Sequence, residues 1–301
     1  MDNGRKILLN LIENAILKKD HRQSDATITD YPTISEVSIY FNLNERQEQA
    51  FRMFSIPVLL QCFEIEQHEL PNCYKIEEPF LVFGGGGVGK SRIVRAIKFF
   101  FEKWNLPHSV IIQAPTGVAA FEIGGTTQHS GLMLPLTWPA DRLPEPLNSP
   151  SEELINVWKP VYGYILDEIS FENPKVFETT MLALNKLKAL HVNDQMKVKV
   201  MLLGNFCQLP PVTGKFIFCN PKKPITTLMQ RGHLRYTAIK NAVHLTQERR
   251  YDDDLEWGVW LKPARQGNWL PEMKQFLSTR VISIEQAIEK FKENLLVICP
   301  E

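Results

Sequence analysis

The sequence has no long apolar segment, no paired cysteines and no signal-peptide core. No apolar run approaches the roughly 18 residues that a membrane-spanning helix requires. The polar stretch of residues 1–20 lacks the apolar centre of a secretory signal. The cysteines are odd in number and far apart, and none forms a Cys-x-x-Cys pair, which argues against a disulfide framework or a zinc site. We therefore expect an intracellular protein in a reducing compartment, without a membrane partner.

An excess of charge of either sign is also missing. Lys and Arg together number 34, as do Asp and Glu, so the formal net charge is zero. A nucleic-acid partner would have to bind a local basic surface, because bulk charge would not attract it. The chain has 301 residues, of which 44% are hydrophobic, and this is enough for a substantial core in one large domain or two ordinary ones.

Short apolar runs predict the buried strands of a parallel sheet. They cover residues 79–83, 109–115, 162–168 and 198–204, and each ends at a polar or glycine residue. Helical patterns stand between them, and a capped helix is predicted at 43–54 after Asn44. The stretch 134–150 contains five prolines and predicts an irregular insertion. The expected fold class is α/β, with a central parallel sheet whose carboxyl strand ends face a ligand.

The most informative motif is FGGGGVGKS at residues 83–91, which follows a predicted strand and precedes a predicted helix. It satisfies the pattern GxxxxGK[ST] of phosphate-binding loops. Bare glycines let backbone N–H groups turn toward phosphate oxygens, while the positive end of the next helix points at them. The motif predicts a site for ATP and Mg²⁺ in which Lys90 reaches the β and γ phosphates and Ser91 holds the metal. The residues assigned to the nucleotide are Gly84, Gly85, Gly86, Gly87, Val88, Gly89, Lys90 and Ser91.

Two adjacent acids end the third predicted strand, in the sequence YILDEIS at 164–170. Asp167 suits the coordination shell of Mg²⁺, and Glu168 suits the polarisation of an attacking water. We expect the two side chains to diverge, because successive residues of a strand point to opposite faces. The alternative is a strand that ends in a solvated acidic turn.

Other segments carry a family resemblance. They read LNERQ (43–47), APTGVAAFEIGGTTQHS (114–130), LLGNFCQLPPV (202–212) and LTQERR (245–250). With the glycine loop and the acidic pair, they resemble the Pif-type (petite integration frequency) superfamily 1B 5'-to-3' DNA helicases, a group that includes the helicases of Helitron transposons. A small-molecule P-loop kinase would explain neither the GGTT block nor the QLPPV block. The resemblance implies a RecA-like P-loop NTPase fold.

The resemblance also implies roles for residues outside the two ATPase motifs. Gln47 would read the adenine edge, Gln208 would sense the γ-phosphate, and Arg250 would stabilise charge on the transferring phosphate. The alternatives are a solvent-facing helix glutamine, a loop glutamine and a solvated pair of arginines, respectively. Single-stranded DNA would be contacted by Thr116, Gly117, Thr126, Thr127 and His129. For His129 alone, the alternative is a helix-start or core histidine.

The resemblance divides the chain into three parts. Residues 1–40 form a helical and linker segment, residues 41–230 form a RecA-like ATPase domain with a proline-rich insertion near 132–160, and residues 231–301 begin a second RecA-like domain. No segment resembles the later family motifs. We therefore expect a chain truncated after the first motor lobe, with the second lobe largely missing. The family's Gly-Asp motif reads Gly204-Asn205 here, which replaces a carboxylate by a neutral amide.

The expected function is ATP-dependent 5'-to-3' DNA unwinding in recombination, repair and telomere maintenance. The partners would be single-stranded DNA and 5'-tailed duplex DNA, and a monomer is the favoured state. The nucleus is the expected location, with the mitochondrion as the alternative. The competing hypothesis is a non-enzymatic nucleotide-binding remnant that acts as a DNA-associated interaction module.

Overall fold

A computed structural model of the protein separates the chain into two compact units, residues 1–248 and 249–301. The structure describes residues 3–17, 30–65, 71–135, 137, 139, 142–144, 147, 149–189, 198–208, 211, 215–248, 258–260, 263–264, 267–279, 281–283, 285–286 and 288–289. The predicted sites lie in the first unit, except for Arg250, which is outside the described residues.

The described strands of the first unit form one six-stranded sheet, in the order β3-β2-β4-β5-β1-β6. All paired neighbours run parallel. The strands are β1 (Phe80–Gly84), β2 (Val110–Ala114), β3 (Thr126–Thr127), β4 (Gly163–Leu166), β5 (Lys199–Gly204) and β6 (Asn241–Leu245). The central strands β4 and β5 are buried along their whole length, as expected for a parallel sheet that is covered on both faces. The predicted α/β fold and its four predicted strands are confirmed.

Helices flank this sheet, together with two short 3-10 helices at Asn72–Tyr74 and Ile169–Phe171. The described helices of the first unit are α1 (Asn3–Leu17), α2 (Ile34–Tyr40), α3 (Glu45–Cys62), α4 (Lys90–Lys103), α5 (Gly117–Glu122), α6 (Gln128–Gly131), α7 (Glu152–Trp158), α8 (Pro174–Ala189) and α9 (Leu228–Thr237). The second unit, taken by itself, contains α10 (Pro271–Ser278). Within the described part of the chain, no helix combines the length and apolar character needed to cross a bilayer.

The sheet separates two apolar clusters, because alternate strand residues point to opposite faces. Ile165 of β4 packs in one cluster with Phe51 and Phe100 from α3 and α4. Its neighbour Tyr164 packs in the other with Trp158 and residues of α8. The two clusters thus hold the strands in place, and the carboxyl ends of the strands position the residues of the candidate site.

Helix α3 begins at Glu45 with a reciprocal capping box. The Asn44 side chain accepts a hydrogen bond from the Gln47 backbone N–H, and the Gln47 side chain accepts one from the Asn44 backbone N–H, both at 2.9 Å. The predicted cap at Asn44 is therefore confirmed. The helix continues to Cys62, beyond the predicted stretch.

A fully buried lysine opens β5. The Lys199 ammonium donates hydrogen bonds to the backbone carbonyls of Cys73, Lys75 and Glu78 at 3.0, 2.7 and 2.7 Å. Burial lowers the pKa of Lys199 to about 8, while the three carbonyl oxygens favour its protonated form. These hydrogen bonds connect the segment before β1, residues 73–78, to β5.

The first unit includes β6, which pairs with β1 from Phe80 opposite Asn241 to Gly84 opposite Leu245. This strand lies after the expected domain boundary between residues 230 and 231, and that boundary remains a prediction. In the second unit, the rings of Trp260 and Phe276 pack edge to face, with their centroids 4.7 Å apart.

Candidate functional site

The glycine loop joins the end of β1 to the start of α4, as predicted. Gly89 caps α4 in the left-handed region, with φ of 86°. A Cβ atom at this position would lie 2.3 Å from Nε2 of Gln47. The backbone conformation favours glycine at position 89, and a side chain there would displace the Gln47 amide.

Gln47 is buried against the loop, with only 2% of its surface exposed. Its Nε2 donates a hydrogen bond to the Val88 carbonyl at 2.8 Å, while its Oε1 accepts from Asn44. The solvent-facing alternative is therefore wrong. The Gln47 Oε1 can accept one more hydrogen bond and its Nε2 can donate one more, which is what an adenine contact needs. The contact itself stays a prediction.

Lys90 opens α4, and its ammonium donates hydrogen bonds to the Gly84 and Gly85 carbonyls at 3.0 Å each. Burial raises the pKa of both Asp167 and Glu168, and the positive charge of Lys90 offsets part of that rise. The structure thus brings the loop lysine and the acidic pair to the same edge of the sheet, although β5 separates β1 from β4.

Asp167 and Glu168 follow the last residue of β4. The Asp167 carboxylate, 6% exposed, accepts a hydrogen bond from the Glu168 N–H at 2.8 Å. Glu168 adopts the left-handed region, with φ of 52° and ψ of 43°. The expected origin of their divergence is therefore wrong, because the strand ends at Leu166 and the two acids stand in a tight turn after it. The solvated acidic turn is also wrong for Asp167, which is buried.

Besides burial, the charge of Asp167 raises the pKa of Glu168 further. The Oε2 atom of Glu168 is buried without a hydrogen-bond partner among the described residues. Ser91, at the second position of α4, supplies a hydroxyl near the same sheet edge. Hydroxyl and carboxylate oxygens are the ligands that Mg²⁺ prefers.

No cluster of three or more His, Cys, Asp or Glu side chains in the described residues could hold a metal alone. Magnesium usually binds through one or two carboxylates together with water and phosphate oxygens, so Ser91 and Asp167 fit a nucleotide-dependent Mg²⁺ site. Their roles as metal ligands stay a prediction.

The segment after β5 carries Asn205 and Gln208. Asn205 is buried, and its side chain accepts a hydrogen bond from the Cys207 N–H at 3.1 Å. Its carbonyl accepts from the Gln208 N–H at 3.3 Å, so the residue that replaces the family's aspartate organises this turn. Gln208 is exposed at the carboxyl end of the sheet, where its role as γ-phosphate sensor stays a prediction. Arg250, the predicted partner of the same phosphate, cannot be placed because it lies outside the described residues.

The five residues predicted to contact DNA lie together at the carboxyl ends of β2 and β3. Thr116 and Thr127 are helix N-caps whose hydroxyls accept hydrogen bonds from Ala119 and Ser130 at 3.3 and 3.2 Å. Thr126 and Thr127 form β3, which pairs with Gln113 and Ala114 of β2 at the edge of the sheet.

The remaining two members differ in exposure. A Cβ atom at Gly117 would meet no other atom within 4 Å, so this position is open to a ligand. His129 is half-buried, and burial lowers the pKa of its imidazole, which favours the neutral form. A neutral imidazole can still donate one hydrogen bond to a phosphate oxygen. DNA contact by all five residues stays a prediction.

Sequence reasoning missed a set of polar side chains buried beneath α6. They come from β2, α6, β4, α8 and the segment after the second 3-10 helix, and they are Gln113, Gln128, Tyr164, Thr180 and Glu172. The only signal in the sequence was a glutamine next to His129 and a glutamate near the acidic pair, neither of which has a recognisable spacing.

A protein-family model described as PIF1-like helicase matches residues 72–254. Among curated proteins, the ATP-dependent DNA helicase PIF1 of Saccharomyces cerevisiae is 23% identical over 257 residues, which cover 85% of this chain and 29% of the relative. The helicase of the same name from Danio rerio is 28% identical over 231 residues, covering 72% and 34%, respectively. The chain thus spans about a third of the length of these relatives.

Solved structures show the same architecture. A Bacteroides Pif1 crystallised with single-stranded DNA is 25% identical, with a TM-score of 0.55 over 79% of this chain and 49% of that one. Pif1 from Candida albicans is 22% identical, with a TM-score of 0.54 over 77% and 46%, and this likeness supports the fold alone. Because the family model covers more than half of the sequence, the chain belongs to the PIF1-like helicase family.

Proposed function

We propose that this chain forms the first motor lobe of an ATP-dependent 5'-to-3' DNA helicase. The observation that carries the proposal is that Lys90, bonded to the Gly84 and Gly85 carbonyls after β1, lies at the same carboxyl edge of the parallel sheet as Asp167 and Glu168 after β4. Residues 41–230 would make up the ATPase domain, and residues 231–301 would begin a second RecA-like domain. The protein would act in DNA recombination, repair and telomere maintenance.

The nucleotide would bind at the carboxyl end of β1. Backbone N–H groups of residues 84–89 would surround the phosphate oxygens, and Lys90 would move from its carbonyl partners to the β and γ phosphates. Ser91 and Asp167 would hold Mg²⁺, which supplies positive charge that neutralises the phosphates. Gln47 would donate to or accept from the adenine edge while it braces the loop through Val88.

Hydrolysis requires a base beside the γ-phosphate. Glu168 is suited to this role, since it stands in the turn after β4 and its buried Oε2 has no hydrogen-bond partner among the described residues. It would orient the attacking water and accept its proton. Gln208 would bond the γ-phosphate, and Arg250 would offset the charge that develops on it.

DNA would bind along the edge formed by β2 and β3. Thr116, Thr126, Thr127 and His129 offer hydroxyl and imidazole groups, and Gly117 offers an open backbone N–H. Such groups bond phosphates without reading bases, so we expect binding of single-stranded and 5'-tailed DNA with little sequence preference.

A second candidate function is nucleotide binding without turnover, in a DNA-associated module. It is favoured by Asn205, a neutral amide where the family has a carboxylate, because the amide cannot hold a cationic partner equally well.

The test is steady-state hydrolysis of Mg–ATP by the purified chain, with and without oligo(dT), alongside calorimetric titration with Mg–ATP. The first candidate predicts hydrolysis that oligo(dT) accelerates. The second predicts binding without hydrolysis under either condition. A chain that binds no Mg–ATP would contradict both candidates.

A further inference from the structure

A buried polar cluster lies between the proposed DNA edge and the proposed catalytic turn. Each of its five members is at most 4% exposed, and they are Gln113, Gln128, Tyr164, Glu172 and Thr180. The Tyr164 hydroxyl donates to Oε1 of Gln113 at 3.0 Å, and Nε2 of Gln128 donates to the Thr180 hydroxyl at 3.1 Å. Neither nucleotide binding nor DNA contact, as proposed above, uses any of these side chains.

The hydrogen bonds of this cluster are incomplete. Gln113 Nε2, Gln128 Oε1 and Glu172 Oε2 are buried without a hydrogen-bond partner in the described part of the chain. An unmet buried polar group is costly, so any rearrangement that satisfies one of these atoms is favourable. Rotating the Gln128 amide by half a turn exchanges its donor and acceptor, which provides one such alternative arrangement.

Glu172 is the only carboxyl group of the cluster, and it lies within hydrogen-bonding reach of Gln128. Burial raises the pKa of Glu172 to about 8 against the lowering effect of the Gln128 hydrogen bond, so the side chain is largely protonated at neutral pH. A carboxylic acid can donate a hydrogen bond, whereas a carboxylate only accepts. A neutral Glu172 can therefore supply the donor that the Gln128 oxygen otherwise lacks.

Three members of the cluster lie next to segments of the proposed site. Gln128 sits between Thr127 and His129, within the predicted DNA block. Gln113 lies near the end of β2, just before the loop that carries Thr116. Its backbone carbonyl accepts a hydrogen bond from the Asp167 N–H at 2.9 Å. Glu172 closes the 3-10 helix that begins directly after Glu168.

Helix α6 also rests directly on the cluster. A Cβ atom at Gly131 would lie 1.9 Å from Nε2 of Gln113, so the backbone of α6 packs directly against this amide. Movement of α6 on contact with a DNA strand would thus displace Gln113 and Gln128 together.

We propose that this cluster couples strand binding at Thr126–His129 to the catalytic turn at Asp167–Glu168, with Gln128, Glu172 and Thr180 as positioning residues. This inference rests on the proposed function, and it concerns how strand binding regulates ATP hydrolysis. Strand binding favours one arrangement of the Gln128 amide, and Glu172 transmits the change to the 3-10 helix and the turn before it. Coupling of this kind is reciprocal, so bound nucleotide should also change the affinity for the strand.

The test compares two neighbouring threonines of α8. Thr180→Val removes the hydroxyl that Gln128 contacts, while Thr179→Val removes an equally buried hydroxyl that bonds only the Lys175 carbonyl within the helix. The readouts are basal ATP hydrolysis, its stimulation by oligo(dT), and the dissociation constant for fluorescein-labelled oligo(dT) with and without Mg–AMPPNP. Coupling energies between sites typically correspond to about 5-fold to 150-fold effects.

We expect Thr180→Val to keep basal hydrolysis within about twofold of wild type. Its stimulation by oligo(dT) should fall at least about fivefold, and so should the change in DNA affinity that Mg–AMPPNP causes. Thr179→Val should keep both. Glu172→Gln, a neutral mimic of the protonated acid, should retain the coupling, whereas Glu172→Leu should lose it. A merely structural role would not separate stimulation from basal rate, nor Gln from Leu at position 172.

Two results would overturn the inference, and they are distinguishable. If wild type is stimulated and Thr180→Val and Glu172→Leu are stimulated equally, the cluster does not couple the sites, while the proposed function stands. If the wild-type chain hydrolyses no ATP and its affinity for DNA does not change with Mg–AMPPNP, the proposed function and the coupling are both wrong. Thermal melts by circular dichroism confirm that each variant is folded.

Discussion

Lys90→Ala is expected to abolish detectable binding and hydrolysis of Mg–ATP. The ammonium stands at the start of α4, against the Gly84 and Gly85 carbonyls, where it can reach the β and γ phosphates. Losing one preorganised charged group at such a site costs about 3 to 4 kcal/mol, or roughly 10²-fold to 10³-fold. Calorimetric titration with Mg–ATP and steady-state hydrolysis measure the two effects.

Lys103→Ala is the matched control for this variant. Lys103 lies in the last turn of the same helix, and its ammonium is 3.7 Å from Asp30 in an exposed ion pair. Such surface pairs are worth about 0 to 1 kcal/mol, so this change should leave nucleotide affinity at the wild-type value. If Lys90→Ala also keeps that affinity, the assignment of the glycine loop to phosphate is wrong.

Glu168→Gln is expected to keep Mg–ATP binding within a few-fold of wild type and to lower turnover by about 10²-fold to 10³-fold. The amide is nearly isosteric with the carboxylate but cannot accept a proton from the attacking water. Single-turnover hydrolysis at saturating ATP separates this loss from any change in affinity.

Glu122→Gln controls for the loss of negative charge near the site. The Glu122 charge acts on both Asp167 and Glu168 and raises their pKa values, although Glu122 itself is exposed on α5. We expect its turnover to stay close to wild type. A Glu168→Gln variant that turns over as fast as the Glu122→Gln variant would show that another group is the base.

The parts of the site that local sequence patterns encode were predictable. Apolar runs that end at polar residues identified β1, β2, β4 and β5, because a strand buried on both faces has few polar residues. The glycine loop was predictable because its function dictates its residue types. Asn44 was predictable as a cap because its side chain competes for the first free N–H groups of a helix.

Other features depend on contacts between residues far apart in the chain. Strand β3 has two residues and β6 alternates between buried and exposed positions, so neither gives the continuous apolar signal of a central strand. Gln47 reads as a surface glutamine until α3 packs against the loop and Val88 becomes its acceptor. Lys199 reads as a polar strand end, although three distant carbonyls hold it fully buried.

Backbone conformation was also beyond local reasoning at the acidic pair. Glutamate seldom adopts the left-handed region, so nothing in YILDEIS predicts the positive φ of Glu168. Strained conformations of this kind cluster at functional sites, where the surrounding structure maintains them. The predicted alternation of a regular strand therefore does not extend to Asp167 and Glu168, because β4 ends at Leu166.

The central claim is that a triphosphate binds the backbone amides of residues 84–91, with Asp167 and Glu168 facing it across a magnesium ion. A crystal structure of the chain with Mg²⁺ and AMPPNP tests it most directly. We expect the phosphates inside the glycine loop, Lys90 on their oxygens, and the metal between Ser91 and Asp167. Phosphates bound elsewhere, or a metal far from Asp167, would contradict the account.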